Sequence, residues 1–305
     1  MKPRALGPGD RVGVIAPAGP VDADRLARGV AELRRLGFEV EPPEGVLERR
    51  GFTAGTLERR LGELYAAFEN DDLAGVFCAR GGAGVVQLLP GLEPDRLLAR
   101  PKVLLGYSDL TFLHAVLNSR GLVTFHGPMV AREIGDGGYE RESLLLALSG
   151  QGLYRSGDDE LLPLRPGSAE GRLLGGCLSI LAAACGTPWA LQADDEDVLL
   201  LLEDVDEAPY KIDRMLRQLR AAGLFERVRG IVLGDLPGCS PSLPASYTLE
   251  QVVLEALDGL HVPIALGLST GHTKNPNVTL PLGVRARLEC AGERADFRIL
   301  EPAVC

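Results

Sequence analysis

The chain has 305 residues, of which 46% are hydrophobic and 24% charged, an ordinary composition for a globular enzyme with room for two domains. Its net charge of −10 argues against a nucleic-acid partner, because phosphate binding needs a basic face. With 38 Gly and 21 Pro it is loop-rich, yet short of the level of a disordered or collagenous chain.

The opening residues do not read as a signal peptide. The first apolar run, Val12 to Ala16, is short and is followed at once by Pro17. No stretch approaches the roughly 20 apolar residues of a membrane span. The six cysteines (Cys78, Cys177, Cys185, Cys239, Cys290 and Cys305) form no CxxC pair and no His-paired metal spacing, so free buried thiols are expected. These features fit a cytoplasmic protein with no membrane contact.

Residues 11–16 read as a buried strand closed by Pro17-Ala18-Gly19-Pro20. Leu26, Val30, Leu33 and Leu36 then recur at helical spacing, and Gly37 supplies the stop. Phe38 to Val40 is a short strand, and Leu57, Leu61, Leu64 and Phe68 mark a second helix. Leu73 to Ala79 is the next strand, running into Arg80-Gly81-Gly82-Ala83-Gly84. Val103 to Leu105 is another, followed by a helix from Asp109 to about Ser119 and a strand from Leu122 to His126. Strands alternating with helices imply a parallel sheet covered on both faces.

From about 135 to 170 the pattern loosens, and a linker is expected there. Beyond it come a helix (Leu178 to Ala184), a continuous apolar strand (Val198 to Leu202) and an amphipathic helix (Tyr210 to Ala222). Strands follow at Ile231–Leu233 and Ile264–Leu266. Two adjacent strands at Arg285–Cys290 and Ala295–Leu300 indicate antiparallel pairing and a mixed second half.

The strongest chemical signal is Gly106-Tyr107-Ser108-Asp109-Leu110-Thr111. A buried strand runs into Ser108 and a helix begins directly after it, which exposes the hydroxyl at a sharp turn near backbone amides. Ser108 is either a nucleophile at such an elbow or a helix cap, since Leu110 replaces the second glycine of G-x-S-x-G. Four histidines are available as base. His114 lies inside a helix and His261 in a short surface loop. His272 sits in the polar loop Ser269 to Asn277 and is the preferred base, with His126 at a strand end in reserve. Glu203 and Asp204 end an apolar strand, and Glu207 follows. One of the three acids would orient the imidazole, and strand alternation favours Glu203 over Asp204. The loop at Arg80–Gly84 lacks the GK[ST] of a P-loop, and Gln87 stands where a dinucleotide motif needs its third glycine. Its bare amides suit half of an oxyanion hole.

Together these stretches resemble the LD-carboxypeptidase family, which includes muramoyl-tetrapeptide carboxypeptidases and microcin-immunity hydrolases. The likeness rests on Gly9-Asp10 with Ala16-Pro17, Arg80-Gly81-Gly82, Gly106-Tyr107-Ser108-Asp109 and His126-Gly127-Pro128. In the second half it rests on Leu202-Glu203-Asp204, Glu207 with Pro209-Tyr210, Gly271-His272 and Leu280-Pro281-Leu282-Gly283. The set runs in family order over nearly the whole chain.

The resemblance implies a flavodoxin-like, parallel-sheet N-terminal domain and a smaller mixed α/β C-terminal domain; the residue pattern sets them at 1–150 and 171–305, with a linker at 151–170. It implies a triad of Ser108, His272 and Glu203, with an oxyanion hole from the backbone of Asp109, Gly81 and Gly82. No metal or cofactor is implied, and a homodimer is. The expected reaction releases D-alanine from a small peptide, a murein tetrapeptide, in cytoplasmic cell-wall recycling. A microcin-immunity-like hydrolase of aminoacyl-nucleotide conjugates and a non-catalytic binding homologue are the alternatives. Arg80 and Lys274 are candidates for the substrate carboxylate, with Tyr107, Glu207 and Trp189 as further contacts. The sequence departs from the family at Cys177, where an asparagine is expected.

Overall fold

A computed structural model describes residues 1–40, 42–157, 161–193, 196–241 and 247–305. The first five strands are β1 (Arg11–Ile15), β2 (Glu39–Val40), β3 (Gly75–Cys78), β4 (Val103–Gly106) and β5 (Thr124–His126). They pair with one another in parallel, in the order β2-β1-β3-β4-β5, the flavodoxin-like arrangement. Every residue of β3, β4 and β5 is buried, because helices cover both faces, and this is why those strands read as unbroken apolar runs. The helices Ala23–Arg35 and Leu57–Glu69 are capped by Asp22 and Thr56, whose side chains accept from Arg25 N and Arg59 N. Strand order reverses on either side of β1, so the carboxyl ends of β1, β3 and β4 open onto one crevice. Pro17–Pro20, Arg80–Gly84 and Tyr107–Ser108 leave the strands there.

The remaining strands are β6 (Leu162–Arg165), β7 (Gly167–Cys177), β8 (Val198–Glu203), β9 (Val228–Gly234), β10 (Ile264–Leu268), β11 (Leu280–Leu282), β12 (Arg285–Ala291) and β13 (Arg294–Ile299). Seven of them form a mixed sheet in the order β13-β12-β7-β8-β9-β10-β6. Its centre, β7 to β10, is parallel, and β12, β13 and β6 run antiparallel to their neighbours. The hairpin of β12 and β13 is the pair that adjacency in the sequence indicates.

Two features are absent from the sequence reading. Residues 162–165 and 167–177, at the expected linker and just after it, are strands. Gly and Pro make them look like a loop, but neighbouring strands supply the hydrogen bonds that their local propensity does not. Moreover, β11 leaves the second half and pairs antiparallel with β5, setting Leu280 opposite His126. One apolar cluster accordingly runs through both sheets, from Val12, Phe77 and Phe125 to Leu199, Leu201, Leu288 and Phe297.

Candidate active site

Ser108 follows β4 in a short 3-10 turn that leads into the helix Thr111–Asn118. Its φ is +66°, a left-handed conformation that costs a non-glycine residue on the order of 1–3 kcal/mol and persists only where surroundings impose it. Gly81 is one of the constraints. A Cβ there would stand 2.8 Å from the Ser108 Cβ and 3.1 Å from its Oγ, so only glycine lets this loop approach the hydroxyl. The loop is tied down from below. The buried Asp109 carboxylate accepts the Val85 N–H at 2.8 Å, and the buried Arg60 donates to Gly84 O and Pro17 O at 2.8 and 2.9 Å. Burial pushes the Asp109 carboxyl up to about 6, against the opposing pull of Val85 N–H and Arg60.

His272 lies in the loop after β10, and Glu203 at the end of β8 is fully buried. Glu203 Oε2 accepts both the His272 backbone N–H, at 2.8 Å, and the ring Nδ1, at 2.7 Å. A carboxylate can only accept, so Nδ1 carries the proton and Nε2 keeps its lone pair. Gly271 makes this contact possible. Its φ is +71°, and a Cβ would collide with Glu203 Cδ at 2.5 Å. Asn277 brackets the same residue, accepting Gly271 N–H and donating to Gly271 O. Tyr107, immediately before Ser108, lays its ring edge-on to His272 with centroids 4.9 Å apart, so the serine turn meets the histidine loop.

Burial disfavours the Glu203 charge, but the neighbouring His272 and His126 outweigh it and hold the carboxyl down at about 2. Burial likewise opposes protonation of His272, yet the hydrogen bond and charge of Glu203 raise it above the ordinary imidazole value. Were His272 the general base it would have to be neutral to act, and kcat/KM should then climb with pH through a midpoint above about 6.5. A rising limb centred below that value in a pH–rate profile would contradict this arrangement. For stability the sign follows from Glu203. Its folded value of about 2 lies below its ordinary 4.5, so its contribution is full above pH 4.5 and is lost as pH falls through about 2.

The other candidate residues separate clearly. Asp204 accepts Ser179 N–H at 2.7 Å in the first turn of the helix Leu178–Ala184. Glu207 pairs with Lys211 at 2.9 Å. His114 is buried between Gly106 O and Thr124, and His261 is exposed. His126 stands on the far side of Glu203, with Nε2 3.5 Å from Oε1. Arg80 donates to Pro20 O at 3.1 Å. Lys274 is exposed and lines a cavity of about 720 Å³ with Asp235, Asn275 and Glu293. Trp189 is partly buried against the apolar cluster that contains Leu110 and Leu113. Four residues that bear on the site escaped the sequence reading: Thr270, Asn277, Glu133 and Arg132. Glu133 accepts the Tyr107 hydroxyl at 2.7 Å, and Arg132 acts electrostatically on both Arg80 and His272. Thr270 and Asn277 are polar residues of the His272 loop, Arg132 and Glu133 lie in the short helical segment Val130–Ile134, and nothing local marks any of them as functional.

Among the described residues, Cys177, Glu203 and His272 form the group whose metal-ligand atoms fall within 4.8 Å of one another. Glu203 Oε2 and His272 Nδ1 bond each other, and Cys177 Sγ lies 3.3 Å from Ser179 Oγ.

The left-handed turn of Ser108 and the carboxylate-bound His272 come from different sheets and meet through the Tyr107–His272 contact. The chain belongs to the LD-carboxypeptidase family, whose N-terminal domain profile matches residues 12–127 and whose C-terminal domain profile matches residues 170–288, and it is a carboxypeptidase. A probable murein peptide carboxypeptidase of Bacillus subtilis is 38% identical, over 96% of this chain and 93% of the relative. The crystal structure of an MccF-like protein from Bacillus anthracis superimposes with a TM-score of 0.89 at 26% identity, covering 99% of both chains. That of muramoyltetrapeptide carboxypeptidase from Oxalobacter formigenes gives 0.84 at 28% identity, over 96% of this chain and 99% of the other.

Proposed function

We propose that the protein is a serine LD-carboxypeptidase that removes terminal D-alanine from murein tetrapeptides, with Ser108 as nucleophile, His272 as general base and Glu203 as its orienting carboxylate. The observation that carries this reading is the 2.7 Å bond from His272 Nδ1 to Glu203, which leaves Nε2 as the free base. His272 takes the Ser108 proton as Oγ attacks the scissile carbonyl. Backbone amides of Asp109, Gly82 and Gly81 hold the oxyanion, as the close approach of Gly81 to the serine supports. The imidazolium then protonates the leaving amine, D-alanine departs, and water hydrolyses the acyl-enzyme by the same route.

The substrate ends in a carboxylate, which an acidic protein must meet with a local cation. Arg80, helped by Arg132, suits that role better than Lys274. A Cβ on Gly82 would lie 3.5 Å from an Arg80 guanidinium nitrogen, whereas Lys274 faces a cavity that holds two acids. Tyr107, Trp189 and Glu207 are proposed as further contacts to the peptide. Residues 1–150 would form the nucleophile domain, 151–170 the connection and 171–305 the domain of Glu203 and His272, with β11 crossing back. A cytoplasmic homodimer completes the reading, testable by fractionation and light scattering.

The deciding experiment offers murein tetrapeptide and an aminoacyl sulfamoyl adenosine side by side and identifies products by mass. The MccF-like structural neighbour makes the second compound the informative rival. Release of D-alanine from the first supports the proposal; cleavage of only the second replaces it. Stereochemistry sharpens the test. Inverting the terminal Cα exchanges its methyl and carboxylate relative to the oxyanion hole, so an all-L tetrapeptide should be cleaved at least about 100-fold more slowly. Equal rates on both diastereomers would reject an LD specificity.

A further inference from the structure

His126 belongs to no part of the mechanism above, yet its ring is wholly buried against the far oxygen of Glu203. Its hydrogen-bond partners determine which ring nitrogen bears a proton. The Thr270 hydroxyl donates its single hydrogen to Val278 O at 2.8 Å. At the 3.2 Å contact with His126 Nδ1, the hydroxyl oxygen must therefore accept, and Nδ1 must be an N–H. In a neutral ring that leaves a bare lone pair on Nε2, aimed at Glu203 Oε1 from 3.5 Å. Neither of these two buried atoms has a hydrogen-bond partner elsewhere among the described residues. Two lone pairs held face to face in a wholly buried site would repel, and a hydrogen between them removes the conflict.

We infer that His126 is a positioning residue for the carboxylate: a proton on the Nε2···Oε1 line locks Glu203 from behind while Oε2 holds His272. The inference rests on the proposed Glu203–His272 pairing. It makes the orienting carboxylate the middle of a four-residue chain, Thr270–His126–Glu203–His272, in which each member fixes the next. The carboxylate cannot rotate about its Cγ–Cδ bond without breaking contacts on both sides. This matters because both hydrogen bonds from His272 end on the same oxygen, Oε2, so a small twist of Glu203 would release the ring. The other neighbours of His126 offer no substitute donor. The Tyr107 ring stands 5.8 Å away and its hydroxyl is given to Glu133, and the His114 ring, 6.4 Å away, is engaged by Gly106 O and Thr124. Cys177, whose thiol lies near Glu203, contacts Ser179.

The test compares His126→Leu, which keeps the bulk and removes the donor, with His126→Gln, whose amide NH2 can reach toward Oε1. His126→Leu should lower kcat about 100-fold with KM changed less than about threefold, since substrate contacts are untouched. His126→Gln should recover at least about tenfold of that loss. Equal losses in two folded variants, or a Leu variant with kcat close to wild type, would overturn the inference. Should the Leu variant fail to fold, nitrogen-15 NMR of the histidine-labelled wild-type protein decides. His126 should show hydrogens on both ring nitrogens, or one on Nδ1 with a second shared with Glu203; a bare, unshared Nε2 overturns it. Failure of the proposed reaction is separable, because a protein that cleaves no tetrapeptide would still show or lack this proton.

Discussion

Ser108→Ala is expected to lower kcat by on the order of 10⁴-fold or more while the protein stays folded, because the members of a triad act as a unit. The contacts of Ser108 make this a clean experiment. The residue is half-buried, its side chain caps no helix, and alanine adopts φ near +66° about as reluctantly as serine does. The melting temperature should therefore barely move. A companion, Ser108→Gly, relieves the left-handed backbone and should be at least as stable yet equally inactive. Together the two separate backbone strain from chemistry. A Ser108→Ala protein that keeps even about a tenth of wild-type turnover would remove Ser108 from the nucleophile's role.

Glu203→Gln should lower kcat by about 10²–10⁴-fold, the range expected when the imidazole loses its orienting charge and can adopt the wrong tautomer. The amide is nearly isosteric, so the fold should survive. Glu203→Ala is the harsher change, since it leaves donors from His272 buried without an acceptor and should destabilise the protein by about 3 kcal/mol or more. Asp204→Asn and Glu207→Gln should cost far less activity. Asp204 accepts Ser179 N–H and Glu207 meets Lys211, so neither touches His272. If Glu207→Gln proved the most damaging of the three glutamine and asparagine variants, the assignment of Glu203 would fall. Glu203→Gln also tests the pH argument. Without the carboxylate that raises His272, the midpoint of any residual activity should move down.

Much of this molecule is legible in its residues, for reasons that are local. Strands buried on both faces must be apolar throughout, so β3, β4 and β8 announce themselves. Helices that cover one face of a sheet must be amphipathic, and Leu26, Val30 and Leu33 are the buried stripe of theirs. A strand that ends in a serine followed by a helix places that serine at a sheet edge whatever else the fold does. The polar loop around His272 and the acids at the end of β8 stand out by the same contrast with apolar neighbours.

What residue patterns leave open is decided by contacts between distant parts of the chain. Glu203 and His272 are 69 positions apart, and only the packing of the β8 end under the Gly271 turn makes one acid of three the partner of one histidine of four. His126 and Thr270 are 144 positions apart, and their contact follows from β11 pairing with β5, a crossing that no local pattern encodes. The glycine-rich β7 is a strand because β8 and β12 flank it, not because its residues favour extension. Local sequence determined which side chains were available at the edges of the sheets; the tertiary structure decided which of them meet, because a hydrogen bond needs its partners within about 3 Å and only the assembled fold sets that distance.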